Sequence, residues 1–158
     1  MNPRERDALR VRFQNSCGYC GILETDVGGE LTVDHFQPRS RDGLDDRSNW
    51  VYCCHVCNEY KGNYWQPNAV CRILHPLNDV IDDNIRLSSD GTLIGLTETG
   101  AFHIEHLRLN RAALVVHRRE LQQLDDSKRM RSDLIDQLNR LESKIERLER
   151  KLDRLRRE

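Results

Sequence analysis

No stretch of this 158-residue chain approaches the roughly 20 consecutive apolar residues that a membrane span requires. Mean hydropathy is −0.74, and no membrane partner is expected. The opening residues, Met1-Asn2-Pro3-Arg4-Glu5-Arg6-Asp7, lack an apolar segment that could act as a secretory leader, so the expected address is cytoplasmic. Net charge is lacking as well: 25 Lys and Arg stand against 26 Asp and Glu, for −1 overall. That excludes the strongly basic footprint of a protein that holds nucleic acid across its whole surface. The charge is uneven, +4 over residues 104–158 and −5 over residues 1–103, so any contact with phosphate has to be local. Proline and glycine are absent after Gly100, which permits one long helix, or two abutting ones, from about Phe102 onward.

Six cysteines are present, an unlikely disulfide framework in a reducing compartment. Cys17-Gly18-Tyr19-Cys20 and Cys54-His55-Val56-Cys57 form two CxxC pairs. Each short turn aims two sulfurs at one point, so together they fill a tetrahedral zinc site and leave no open position. Free or redox-active thiols are the alternative reading, and His55 could replace Cys54 as a ligand. Cys53 and Cys71 are left over and are expected to be small, half-buried residues.

Helix is expected over residues 3–15. Leu31-Thr32-Val33-Asp34-His35-Phe36 has the β-branched and aromatic content of a strand, as does Asn49-Trp50-Val51-Tyr52-Cys53. Between them, Pro38 to Ser48 reads as loop. A short helix is expected to begin at the second CxxC pair and run through Asn58 and Lys61. Residues 63–83 look irregular, and a small hairpin is expected around Ile85-Arg86-Leu87 and Thr92-Leu93-Ile94-Gly95-Leu96. Trp50 and Trp65 are assigned to the core rather than to stacking on a ligand.

Asp34 and His35 end the first expected strand. Side chains alternate faces along a strand, so a twist or bulge is needed to bring both to one site. A carboxylate suits a hard divalent cation, and an unliganded imidazole suits a general base. Asn58 directly follows the last thiolate, so a zinc ion there would fix where its amide points. An Asp-His pair taken by itself is more often an ordinary surface pair. Asn49 taken by itself could be no more than a turn residue at a strand entry.

The runs Leu31 to Pro38, Ser48-Asn49-Trp50-Val51 and Cys54-x-x-Cys57-Asn58-x-x-Lys61-Gly62, with the knuckle at Cys17 and Cys20, together resemble the HNH endonucleases. The likeness covers roughly residues 17–62. A weaker likeness to the downstream part of some bacterial HNH proteins extends through Asp90-Gly91-Thr92, Thr99-Gly100 and Leu107-Arg108-Leu109-Asn110-Arg111. The resemblance implies that His35 activates water, that Asp34 and Asn58 hold a catalytic Mg²⁺ or Mn²⁺, and that Asn49 orients the base and ties the loop. It also implies that Cys17, Cys20, Cys54 and Cys57 bind structural zinc and that DNA is the substrate. Asn58 stands where His is the other common choice. Lys61, Arg39 and Arg41 are candidate phosphate contacts.

The expected fold is therefore α+β, a small zinc-stapled ββα-metal (HNH) domain followed by a long C-terminal coiled-coil helix. The expected domains are 1–100 for the nuclease unit with its downstream hairpin, 101–125 for a connecting helix, and 126–158 for the coiled coil. In the last of these, Leu134, Leu138, Leu141, Ile145, Leu148, Leu152 and Leu155 alternate steps of four and three. That is a heptad seam, with Leu138, Ile145 and Leu152 at a and the other leucines at d. Either the helix folds back on its own domain, or it forms a homodimer or docks a larger protein partner. A narrow seam with charged flanks favours association, and orientation and strand number stay open.

Overall fold

The computed structural model describes residues 2–156, the side chain of Asp153 excepted. The chain divides into two compact units, Met1–Val116 and His117–Glu158. Helix α1 (Pro3–Arg12) begins at a reciprocal cap. Asn2 Oδ1 accepts from Glu5 N–H at 3.0 Å, and Glu5 Oε2 accepts from Asn2 N–H at 2.8 Å. Proline at the first helical position forfeits no hydrogen bond. The helix stops before the expected residue 15 because Gln14 and Asn15 both take φ +54°, a left-handed turn that feeds the first cysteine knuckle.

After the short helix α2 (Glu24–Val27), strands β1 (Thr32–His35) and β2 (Trp50–Cys53) pair antiparallel. The register is Thr32↔Cys53, Val33↔Tyr52, Asp34↔Val51 and His35↔Trp50. All four residues of β2 are buried, because α1 packs on β2 while helix α3 (His55–Lys61) packs on β1. The loop joining the strands is drawn tightly together. A Cβ at Gly43 would lie 1.8 Å from Gln37 O, so only glycine admits this approach.

Residues 63–80 are irregular apart from turns. A second hairpin follows, β3 (Ile85–Leu87) with β4 (Leu93–Gly95), close to the expected positions. Asn110 fastens it, its amide accepting from Leu93 N–H at 2.7 Å and donating to Leu93 O at 2.8 Å. Of the two arrangements allowed for the C-terminal part, two helices form: α4 (Glu98–His106) and α5 (Ala112–Leu155). The break falls where Arg108 takes φ +48°. Leu107, Leu109 and Leu114 join Leu9, Phe13, Tyr52 and Leu74 in one apolar core. The fold class is α+β, with small two-stranded sheets, a four-cysteine cluster and a long C-terminal helix. Among the described residues no helix is long and apolar enough to cross a membrane. Arg157 and Glu158, the end of the expected coil, lie outside the described residues. Cys53 is fully buried and Cys71 is exposed, so neither is half-buried. Cys53 sits on a strand covered on both faces, whereas Cys71 lies in the irregular segment.

His103 of α4 is buried, and its Nδ1 accepts from Leu74 N–H at 3.0 Å. Burial holds its pKa down at about 4, against an ordinary 6.5. Between pH 6.5 and 4 the unfolded chain binds a proton here that the folded one refuses, so stability falls as pH falls through this window. The expected loss from this group is about 3 kcal/mol. It is read as the shrinking difference in unfolding free energy between the native chain and His103→Gln from pH 7 to pH 4. A difference that does not change with pH would show that His103 titrates alike in the folded and unfolded chain, and that burial does not hold its pKa down.

Candidate active site and four-cysteine centre

The two knuckles meet. The sulfurs of Cys17, Cys20, Cys54 and Cys57 all lie within 4.8 Å of one another, positioned to bind one metal ion. Cys54 caps α3, its Sγ accepting from Cys57 N–H at 3.4 Å, so the helix starts inside the cluster. His55 is exposed and is not part of the four-sulfur group. Arg111 reaches in from the segment before α5, with Nη2 3.7 Å from Cys57 Sγ. Its charge offsets the excess negative charge that four thiolates around a divalent ion would carry.

Both knuckles also grip Asp34. Its carboxylate is 6% exposed. The Tyr19 hydroxyl, from within the first knuckle, donates to Oδ2 at 2.6 Å. The Lys61 ammonium, at the end of the helix begun by the second knuckle, lies 2.9 Å from Oδ2 and 3.1 Å from Oδ1. Lys61 also donates to His35 O at 3.0 Å. Burial raises the pKa of the Asp34 carboxyl, while Lys61 and Tyr19 oppose the rise. Burial, then the charge of Asp34, pushes the Tyr19 phenol well above its usual value, so it remains a donor. Lys61 is itself 2% exposed and turned inward, whereas Arg39 and Arg41, in a single 3₁₀ turn, are exposed.

His35 faces the other way. The hairpin register is regular through Asp34 and His35, so the two side chains leave opposite faces of β1. His35 lines a shallow groove with Asn2, Arg6, Val33 and Asp45. Its Nε2 lies 2.8 Å from Asp45 Oδ1, an oxygen that also accepts from Trp50 Nε1–H at 2.8 Å. Those two contacts hold the Asp45 carboxyl below its usual pKa, His35 contributing most. Asp45 was not singled out from the sequence. It sits in a loop with Asp42 and Asp46, and no spacing sets it apart.

Asn49 ties the loop. Its amide accepts from Gln37 N–H at 2.7 Å and donates to Gln37 O at 2.9 Å and to Leu44 O at 2.8 Å. The last of these bonds fixes the residue next to Asp45. Asn58 is half-buried on α3, one turn before Lys61, and among the described residues no hydrogen bond engages its side-chain amide. Asn49 and Lys61, with Phe36, Tyr64 and Trp65, line a cleft of about 380 Å³ on the α3 side. Trp50 is buried, and Trp65 packs edge-on to Phe36 at 5.6 Å.

Residues 17–64, which contain both knuckles, the first hairpin and α3, match the family model for the HNH endonuclease. Over 66 residues the chain is 41% identical to the CRISPR-associated endonuclease Cas9 of Corynebacterium diphtheriae. That alignment covers 39% of this chain and 6% of the relative. No solved structure matches the chain. The chain thus carries an HNH nuclease domain at residues 17–64.

The grip on Asp34 yields an expected outcome. Lys61→Met keeps the buried stem but leaves the carboxylate with Tyr19 alone, and removing one member of a buried pair costs about 3–5 kcal/mol. Denaturant unfolding of the metal-loaded chain measures it, and Asp34→Asn combined with Lys61→Met is expected to regain part of the loss. A loss under about 1 kcal/mol would show that the pair does not hold the site together.

Proposed function

We propose that the HNH unit is a metal-dependent endonuclease that hydrolyses DNA phosphodiester bonds with His35 as general base. The observation that carries this reading is the His35–Asp45 pair, braced by Trp50 in a groove at the end of the hairpin. With Nε2–H donating to Asp45, the neutral ring keeps its Nδ1 lone pair for the proton of an attacking water. Asp45 orients the ring and stabilises the imidazolium, and Asn49 holds the loop that carries Asp45. Asp34 and Asn58 are the proposed ligands of a catalytic Mg²⁺ or Mn²⁺. The donor chemistry fits, since both offer hard oxygens. Among the described residues Asp34 Oδ1 has only the 3.1 Å contact to Lys61, which leaves it a lone pair. Bound there, such an ion supplies Lewis acidity for the charge that develops on phosphate. Arg39 and Arg41 are the proposed phosphate contacts, and Lys61 acts through the carboxylate it holds.

The four cysteines fit structural zinc. Zinc–sulfur bonds of about 2.3 Å in a tetrahedron set neighbouring sulfurs about 3.8 Å apart, and Cys20 and Cys54 stand 3.8 Å apart. A second reading, in which the domain works within a larger assembly, is favoured by the relative, where the matching segment is 6% of the whole.

Plasmid nicking with Mg²⁺ or Mn²⁺ tests the mechanism. His35→Ala is expected to lower the rate about 10²–10⁴-fold, Asp45→Asn by less, and EDTA to abolish cutting. Equal cutting by the native chain and His35→Ala would sink the assignment. The zinc assignment is read separately by elemental analysis. One equivalent of zinc is expected in the native chain, and Cys57→Ser is expected to lose it together with the cooperative melting of the domain. A full equivalent retained by Cys57→Ser would refute it.

A further inference from the structure

Helix α5 carries an uncovered apolar face. Leu138, Ile145 and Leu152 at a and Leu134, Leu141 and Leu148 at d are each 53–58% exposed. Leu155, at d, is 62% exposed, and between residues 130 and 156 two apolar side chains lie outside a and d: Met130 at g is 68% exposed and Ile135 at e is 48% exposed. A fold-back of the helix leaves both unexplained, and so does a seam read from a and d alone.

The pattern points to a second copy of this chain as the occupant, in a parallel two-stranded coiled coil over residues 130–156, and we propose that assembly. In a parallel pair each g residue meets the e residue five positions later on the partner copy. Met130 then meets Ile135, which widens the apolar seam at its start. Gln137 meets Glu142, an amide facing a carboxylate, and Lys144 meets Glu149, an opposite-charge pair that occurs twice by symmetry. Only Lys151 opposite Arg156 is unfavourable.

An antiparallel pair sets e against e and g against g. Lys144 and Lys151 would then face only Lys, Gln or Met, and Glu142 and Glu149 would face each other, Ile135 or Arg156. No lysine would find an acid, and Met130 and Ile135 would not meet. Charged side chains at e and g beyond Ile135 keep the buried seam narrow, which selects two strands over three. Arg131 at a and Ser127 at d end the seam on its N-terminal side. Both copies of the first unit are therefore joined to the coil at the same end. This inference does not depend on the hydrolytic reading.

Sedimentation equilibrium of the full metal-loaded chain tests the proposal, with circular dichroism to verify that each variant stays helical. The native chain is expected to be a dimer. Glu149→Lys places lysine against lysine in the parallel pair and is expected to raise the dissociation constant at least about tenfold. Adding Lys144→Glu to that variant is expected to restore the native value. In an antiparallel pair that sets Glu149 against Glu142 or Glu149, Glu149→Lys would relieve acid–acid contacts and tighten the dimer; that result, or a dimer unchanged by the substitution, would overturn the proposal. A monomer at all concentrations, a trimer, or a double variant no tighter than Glu149→Lys alone would overturn it as well.

Discussion

Everything in the first unit depends on a buried carboxylate held from two sides. Taking the charge of Asp34 out of water costs several kcal/mol unless a partner of opposite charge and further hydrogen bonds compensate. Both partners come from segments that the four cysteines tie together. Tyr19 lies between Cys17 and Cys20, and Lys61 ends the helix that Cys54 begins. A metal that closes the cysteine cluster therefore sets more than local structure, because it brings the phenol and the ammonium to the same carboxylate. In return, the ion pair fixes α3 against β1, and with it the direction of the Asn58 amide. The segment beyond the HNH match adds support. Arg111 stands beside Cys57 Sγ, and the Tyr19 ring lies 6.5 Å from that of His103.

Strand geometry divides the labour of the site. Side chains alternate along β1, so consecutive residues cannot share one environment. Asp34 is turned into the protein, where geometry is rigid, and His35 is turned to an open groove. A base on a flexible loop would lose orientation, and a base inside the core would lose its substrate. As the proposed base, His35 would avoid both, because a strand fixes its backbone and Asp45 bonds its ring. The loop that carries Asp45 owes its shape to the three Asn49 bonds and to the close approach at Gly43. The single Asn49 amide would therefore act on the proposed base through the backbone rather than by touching it.

The parts that were legible in the sequence are those with a local signal. CxxC spacing announced the cluster, because two residues between cysteines fix the aim of both sulfurs. The β-branched runs announced the first hairpin within a residue or two. Asp34, His35 and Asn58 could be named as candidates because each sits at a fixed offset from the cysteines or from a strand end. Tyr19 and Asp45 were not. A tyrosine between zinc cysteines reads as core until the strand it faces is known, and three aspartates in one loop look alike until the chain closes. Lys61 looked like a phosphate contact because a lysine at a helix end is usually solvated. Only the packing of α3 on β1 turns it inward. The break between α4 and α5 was invisible for a related reason: it rests on one left-handed residue, Arg108, where no glycine marks the turn.

Charge sets one more constraint on how such a unit meets a polyanion. Residues 1–103 carry −5, so the approach to phosphate cannot rest on the net field of that segment. The groove itself offers Arg6, already paired with Glu30; under the proposed reading, the exposed Arg39 and Arg41 on their single turn and an ion held by Asp34 and Asn58 would supply the rest. On that reading, a site with so little fixed positive charge would bind its substrate weakly without that ion. Two copies joined at one end of a coil would compensate by raising the local concentration of the second site once the first has engaged. On this view the leucine seam and the acidic domain belong together, because association supplies the residence time that the domain's own electrostatics do not.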